Sequence, residues 1–253
     1  MSFYIPQKLL TVNNAKTVKG EKYGYKTYIL YMSPFTQNAK GANVCPQASK
    51  GCAEACLFGS GFGGMFTSVE RGRMNKTNYF LGDRKKFLMQ LYKEITNIVK
   101  KHEKMEEKIC IRLNGTSDIS WEKFKVKDNK SLMELFPEVQ FYDYTKNYFR
   151  FKSVLPANYH LTFSRSEENG DIALDLLNKG VNVAVVFDEL PETFHGYKVI
   201  NGDESDLRFE DEKNVVVGLK YKKMTGKGSN NQKAFESGFA LRKAEIQVAA
   251  KAA

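Results

Sequence analysis

Short strand-like runs and helical patterns take turns along most of this chain, and that alternation narrows the fold more than any other feature. Strands are expected at 27–33, 108–114, 138–144, 159–164, 181–187, 197–200 and 215–219. The run Val-Asn-Val-Ala-Val-Val-Phe at 181–187 is the least ambiguous, being apolar and rich in β-branched side chains. Helical spacing runs from about 65 to 101 with a break near 78–83, and it carries Phe87, Leu88, Leu91, Ile95, Ile98 and Val99 on one stripe. Further helices are expected at 130–136, 146–154 and 170–179, the last stopped by Gly180. The alanine-rich end, 235–253, reads as a terminal helix. Strands alternating with helices argue for parallel βαβ units. The expected fold is therefore α/β, a partial (β/α)6 TIM-like barrel with parallel strands. With 253 residues, 42% of them hydrophobic, the chain can bury the core of a single α/β domain over 1–253. Its core is expected at about 25–222, with a C-terminal extension at about 223–253.

In parallel α/β proteins the site lies at the carboxyl ends of the strands. Those positions are polar in this chain. The second strand is followed by Asn114-Gly-Thr-Ser-Asp118, which reads either as a plain turn or as a ligand cradle with Asp118 as an acceptor. The third leads through Asp143 and Thr145 to Lys146, the fourth into Ser164-Arg165-Ser166-Glu167, and a later one into Asp203, Asp206 and Arg208. Asp118, Asp143 and Lys146 are the candidate catalytic groups. Asp203, Asp206 and Arg208 make either a site or a structural ion pair. His160 lies within a strand and reads as a hydrogen-bonded core histidine, whereas His102 and His195 fall in polar segments expected to be exposed.

The first strand is followed by three of the four cysteines. Cys45, Cys52 and Cys56 stand in the spacing C-x6-C-x3-C. Clustered thiolates suit soft centres, zinc or an iron–sulfur cluster. A structural zinc normally takes four ligands, and Cys110 is the candidate for the fourth. Cys110 lies between Ile109 and Ile111 and shares its strand face with Arg112, so core packing is its other reading. Gly59-Ser-Gly-Phe-Gly-Gly64 matches the letters of a dinucleotide fingerprint but follows a cysteine loop rather than a strand, so it reads as slack for that loop.

The formal net charge is +10, with basic clusters at Arg84–Lys86, Lys100–Lys101 and Lys220–Lys227. That balance favours a polyanion partner, nucleic acid above all, although many lysine-rich chains are basic without one. No stretch approaches the length of a membrane span, and the first residues lack the layout of a signal peptide. No membrane association and a cytoplasmic location are expected.

Cys45-Pro-x5-Cys52-x3-Cys56-Leu, Arg112-x-Asn-Gly-x-Ser-Asp118, Tyr142-Asp-Tyr-Thr-Lys146 and Asp203-x2-Asp206-x-Arg208-Phe together resemble the gene product 88 family of bacteriophage genomes. The match spans about 44–220. The layout also resembles the radical S-adenosylmethionine superfamily, in which three cysteines after the first barrel strand bind a 4Fe–4S cluster. That resemblance implies S-adenosylmethionine as cofactor, an electron donor as partner, and binding roles for Asn114, Gly115, Ser117, Asp118, Ser164, Arg165, Asp206 and Arg208. The chain departs from that superfamily's usual C-x3-C-x2-C spacing and has Ala55 where an aromatic residue commonly precedes the last cysteine.

The leading expectation is a phage iron–sulfur enzyme of this type acting on a nucleotide or nucleic acid. The alternatives are a zinc-stabilised nucleic-acid-binding protein without catalysis, and a barrel enzyme using carboxylates on a nucleobase or sugar.

Overall fold

The structure, a computed structural model, describes residues 4–12, 17–35, 37–56, 67–223 and 231–246. The glycine run at 59–64 and Lys227 lie outside these residues. The chain begins with a two-residue strand β1 (Leu10–Thr11) and a short helix α1 (Thr17–Glu21). Gly24, at φ 79°, then turns it into β2 (Tyr25–Leu30).

The cysteine segment holds a short helix α2 (Lys50–Glu54) where only a loop is expected from the sequence, and two long helices follow. These are α3 (Thr67–Gly82) and α4 (Arg84–Glu103). They part at Asp83, whose carboxylate accepts from the Lys86 N–H and so caps α4. Next come β3 (Lys108–Arg112), α5 (Leu132–Leu135) and β4 (Gln140–Thr145). Ser131 and Glu134 close a reciprocal capping box at the start of α5. After β5 (Tyr159–Ser164), α6 (Gly170–Asn178) and β6 (Val183–Phe187), an antiparallel hairpin of β7 (Thr193–Phe194) and β8 (Tyr197–Asn201) leads to β9 (Val216–Lys220). The chain between β4 and β5 makes a 3-10 turn at Tyr148–Lys152 rather than an α-helix.

The ten strands of the described residues join one sheet, which is open and mostly parallel. Its order is β1-β2-β3-β4-β5-β6-β9-β8-β7. The parallel strands from β2 to β6 therefore neighbour one another in chain order.

The C-terminal region departs from the expected long helix. Lys233–Glu236 forms a short helix, α7, helical structure returns at 243–246, and residues 247–253 lie outside the described ones. Gly238 then adopts φ 79°, and β10 (Ala240–Leu241) pairs in parallel with Val186 and Phe187 of β6. β5 pairs only with Val183 and Ala184, while β9 occupies the other edge of β6 along its whole length. β10 thus fills the gap where β5 and β6 separate at their carboxyl ends.

Strand alternation divides the sheet into two faces. One face sends Tyr28, Leu30, Ile111, Leu113, Phe141 and Leu161 against the α4 stripe of Phe87, Leu88, Leu91, Ile95 and Val99. Each fully buried side chain of this kind contributes roughly 1.5–3 kcal/mol. His102, expected to be exposed, is buried at the end of α4, with its ring nitrogens 2.7 Å from the Tyr28 hydroxyl and 2.6 Å from the Glu107 carboxylate. The other face carries Thr27, Cys110, Arg112, Tyr142, Tyr144, His160 and Thr162, and a 3-10 turn at Arg208–Glu210 packs over it.

Candidate active site

A cavity of about 240 Å³ opens at the carboxyl ends of the parallel strands. Cys45, Cys52 and Cys56 all line it, together with the loop after β3, the ends of β4 and β5, and the segment after β8. This is where the polar residues that follow the strands are expected to converge. Of the residues singled out from the sequence, Asn114, Gly115, Ser117, Asp118, Lys146, Ser164 and Asp206 line the cavity.

The thiols are positioned by long-range contacts. Cys45 donates its S–H to the Thr116 carbonyl at 3.7 Å. Burial pushes its thiol up to about 12, and the charges of Cys56, Asp118 and Cys52 add to that shift. Ser49 caps α2 by accepting from the Cys52 N–H. The Glu167 carboxylate, just beyond β5, accepts from Ser49 Oγ at 2.8 Å and from the Gly51 N–H at 2.6 Å. A Cβ on Gly51 would stand 2.7 Å from Glu167 Oε1, so that glycine permits the contact. The C-terminal segment completes the wall, since Ala234, Phe239 and Ala240 pack with Cys52 and Ala55, and Phe239 faces the cavity. Arg165 serves this packing by donating to the carbonyls of Gly238 and Phe239, and it does not line the cavity.

Asn114 holds the β3 loop together. Its Oδ1 accepts from Ser117 Oγ, the Ile119 N–H and Trp121 Nε1, while Nδ2 donates to the Ile119 carbonyl and to Asp143. Both ends of the amide are thereby committed to the loop. Gly115 brings the loop against β2, because a Cβ there would stand 2.7 Å from Ile29 and from Tyr31. The Asp118 carboxylate accepts from Thr145 Oγ1 and the Lys146 N–H, and Arg150 lies 3.6 Å away. Lys146 Nζ donates to Ser164 Oγ at 3.0 Å.

Asp143 points to the opposite face and lies beneath the cavity, fully buried. It accepts from Asn114 N, Asn114 Nδ2 and the Tyr159 hydroxyl, so its observed contacts position the loop. Burial pushes its carboxyl up to about 7, against those hydrogen bonds and the pull of Arg112 and Arg150. A folded-state value above the ordinary 3.8 means that the native state holds an extra proton between them. Its stabilising effect is full below about 3.8 and is lost as pH rises toward 7. Unfolding titrations at pH 4, 5.5 and 7 should therefore give a steeper loss of stability with rising pH in the wild type than in Asp143→Asn, by up to about 4 kcal/mol across the window.

The groups after β8 resolve into ion pairs. Arg112 Nη1 donates to both oxygens of Asp206, at 3.1 and 2.9 Å, and its guanidinium lies 4.7 Å from the centre of the Tyr144 ring. Arg208 pairs with Asp211 at 3.3 Å, is buried, and does not line the cavity. Asp203 pairs with Lys222. Cys110 is also buried away from the cavity, packed with Tyr142 and Leu207 and 3.3 Å from Thr27 Oγ1. The core-packing alternative describes its position. His160 keeps its strand position but its Nε2 has no hydrogen-bond partner.

Glu167 falls in a strand-end run already singled out, but its pairing with α2 and the packing of the C-terminal wall have no local signature, because the partners lie more than a hundred residues away in the chain. The Glu167→Gln amide can accept only one of the two bonds. We expect a loss of about 1–2 kcal/mol in the local stability of α2. Faster amide exchange at 51–54 and faster labelling of Cys52 would report it, while unchanged exchange there would contradict it.

The three thiols supply the donor chemistry of a soft metal centre and converge on one cavity, although among the described residues no group of three or more His, Cys, Asp or Glu side chains is drawn together to hold a metal ion. No helix among the described residues is long and apolar enough to cross a membrane. The family model described as Gene product 88 matches residues 8–243. No curated protein and no solved structure matches the chain.

Proposed function

This chain belongs to the gene product 88 family, and on that premise we propose that its cavity is the active site of an iron–sulfur enzyme of the radical S-adenosylmethionine type. The observation that carries the reading is the convergence of Cys45, Cys52 and Cys56 on one cavity at the carboxyl ends of the strands. The chain-order succession of parallel strands from β2 to β6, continued by β9, supports a partial (β/α)6 barrel, with the β7–β8 hairpin standing where a last crossover helix would be. The family's phage setting supports a role during infection, and the reaction needs an electron donor as partner.

Cys45, Cys52 and Cys56 would hold a 4Fe–4S cluster, which when bound supplies an electron to S-adenosylmethionine. The chain's own residues shape the remaining space. Asn114 and Gly115 set the loop close to β2, and Asp118 is fixed by Thr145 and the Lys146 N–H. Lys146 and Ser164 present a hydrogen-bonded pair to the cavity, and Arg112 with Asp206 forms a charged, largely buried part of its wall. Phe35, held at φ 49°, and Phe239 add apolar surface. Side chains of this kind exclude water from a reactive intermediate.

Anaerobic reconstitution with iron and sulfide, followed by strong reductant and S-adenosylmethionine, tests the reading. Formation of 5′-deoxyadenosine by the wild type, and its loss in Cys45→Ser, Cys52→Ser and Cys56→Ser, is the expected result. Cluster-loaded protein that leaves S-adenosylmethionine intact would remove the radical assignment.

A further inference from the structure

The cavity mouth is unevenly charged. Lys19 of α1 reaches across to donate to the backbone carbonyl of Asp203, a neutral partner. The Asp203 carboxylate accepts from Lys222 Nζ and from the backbone N–H of Lys220, each at 2.9 Å. One carboxylate therefore stands beside three lysines that line the cavity, and Lys222 forms the ion pair with it. The charge of Lys19 also acts on this carboxylate, so three lysines share one anion and this part of the lining keeps net positive charge. On another part of the wall, Lys146 is bonded only to the neutral Ser164 hydroxyl and lies 5.7 Å from the centre of the Phe239 ring. Deeper in, Arg112 is neutralised by Asp206. The remaining wall carries Phe35, Tyr221 and Phe239, which offer aromatic surface beside the cations.

Cations at an opening next to aromatic walls match a ligand with an anionic end and a flat ring. Ammonium groups bind phosphate as point charges, and a base stacked on an aromatic side chain gains about 1–3 kcal/mol. We infer that the cavity takes a nucleoside phosphate, with its phosphate at Lys19 and Lys220 and its base against the aromatic wall. The inference rests on the proposed reading only in taking this cavity as the active site, and it requires neither cluster nor S-adenosylmethionine. The phosphate belongs either to a free nucleotide or to the end of a nucleic-acid strand.

Calorimetric binding of the four ribonucleoside 5′-monophosphates, their nucleosides and a 5′-phosphorylated oligonucleotide to the full-length, metal-free chain tests it. At least one phosphorylated ligand should bind about tenfold or more tightly than its unphosphorylated counterpart, as expected for a ligand that gains two ammonium contacts. Lys19→Ala combined with Lys220→Ala should erase that preference. Both side chains are exposed, so the fold should tolerate the change. Lys100→Ala with Lys101→Ala, at the end of α4 that leads to the amino end of β3, should leave it intact. Oligonucleotide binding that depends on the 5′-phosphate would assign the source to a strand end, and binding of mononucleotides alone would assign it to free nucleotide. Equal binding with and without phosphate, no binding of any phosphorylated ligand, or equal loss in the α4 double variant would overturn the inference. Absence of iron would not, since no metal enters the measurement.

Discussion

Asn114→Ala should lower the stability of the chain by about 3–5 kcal/mol, because it strips the β3 loop of its central acceptor and leaves the Ile119 N–H and Trp121 Nε1 buried without partners. Each orphaned donor costs roughly 1–3 kcal/mol, and Asp143 loses the Nδ2 donor in addition. Trp121 is embedded among Phe80, Phe87 and Phe124, so it cannot turn its N–H to water without disturbing that cluster. The damage should be local in its origin but visible in the global transition. Urea titration should show a lower midpoint, and the fluorescence of the single tryptophan should change in the native baseline. A variant within about 1 kcal/mol of the wild type would mean that the loop re-forms its bonds elsewhere.

Asp206→Ala should be comparably costly, for a different reason. Arg112 is buried, its positive charge is balanced by Asp206, and Tyr142 also donates to that carboxylate at 3.1 Å. Removing the anion leaves a guanidinium out of water without its counter-charge, a change that costs about 3–5 kcal/mol. The double variant Arg112→Met with Asp206→Leu should recover most of the loss, since well-packed apolar replacements remove both the charge and the need to balance it. Additive losses in the two single variants and the double variant would show instead that the residues act independently.

The alternation of strand and helix patterns carries most of the architecture. β5 appears at the bounds its apolar run implies, and the stripe from Phe87 to Val99 faces the sheet. These elements are legible because each rests on a local period, two in a strand and 3.6 in a helix. The convergence of polar loops is legible for the same reason, since it follows from strand direction alone. The interruption of the terminal helix is not. Gly238 and the room left where β5 and β6 diverge draw residues 240–241 into the sheet, and helical structure returns only at 243–246. Glycine inside a helical pattern is a weak warning of that outcome.

The side-chain assignments divide along a similar line. Cys110 and Arg112 share a strand face, as their spacing implies, yet Arg112 reaches the cavity while Cys110 stays beneath Leu207. A face is legible in sequence, whereas depth along it depends on what covers the sheet. Asn114 lines the cavity and Asp143 is bonded to it, but their hydrogen bonds bind the loop to itself. Arg165 and Arg208 follow strand ends as expected and are turned to structural partners that lie elsewhere in the chain or across a turn. Residue type and position narrow the candidates to one end of the sheet. Only tertiary contacts separate groups that face the cavity from groups that support it.

The central claim is that Cys45, Cys52 and Cys56 act together as one metal-binding unit. Iron and acid-labile sulfide analysis of anaerobically purified protein, wild type beside the three Cys→Ser variants and Cys110→Ser, tests it most directly. The account predicts about four iron and four sulfide per chain in the wild type, loss of the bound cluster in each of the first three variants, and retention in Cys110→Ser. Stoichiometric zinc without labile sulfide, or iron that persists when Cys52 is replaced, would contradict it.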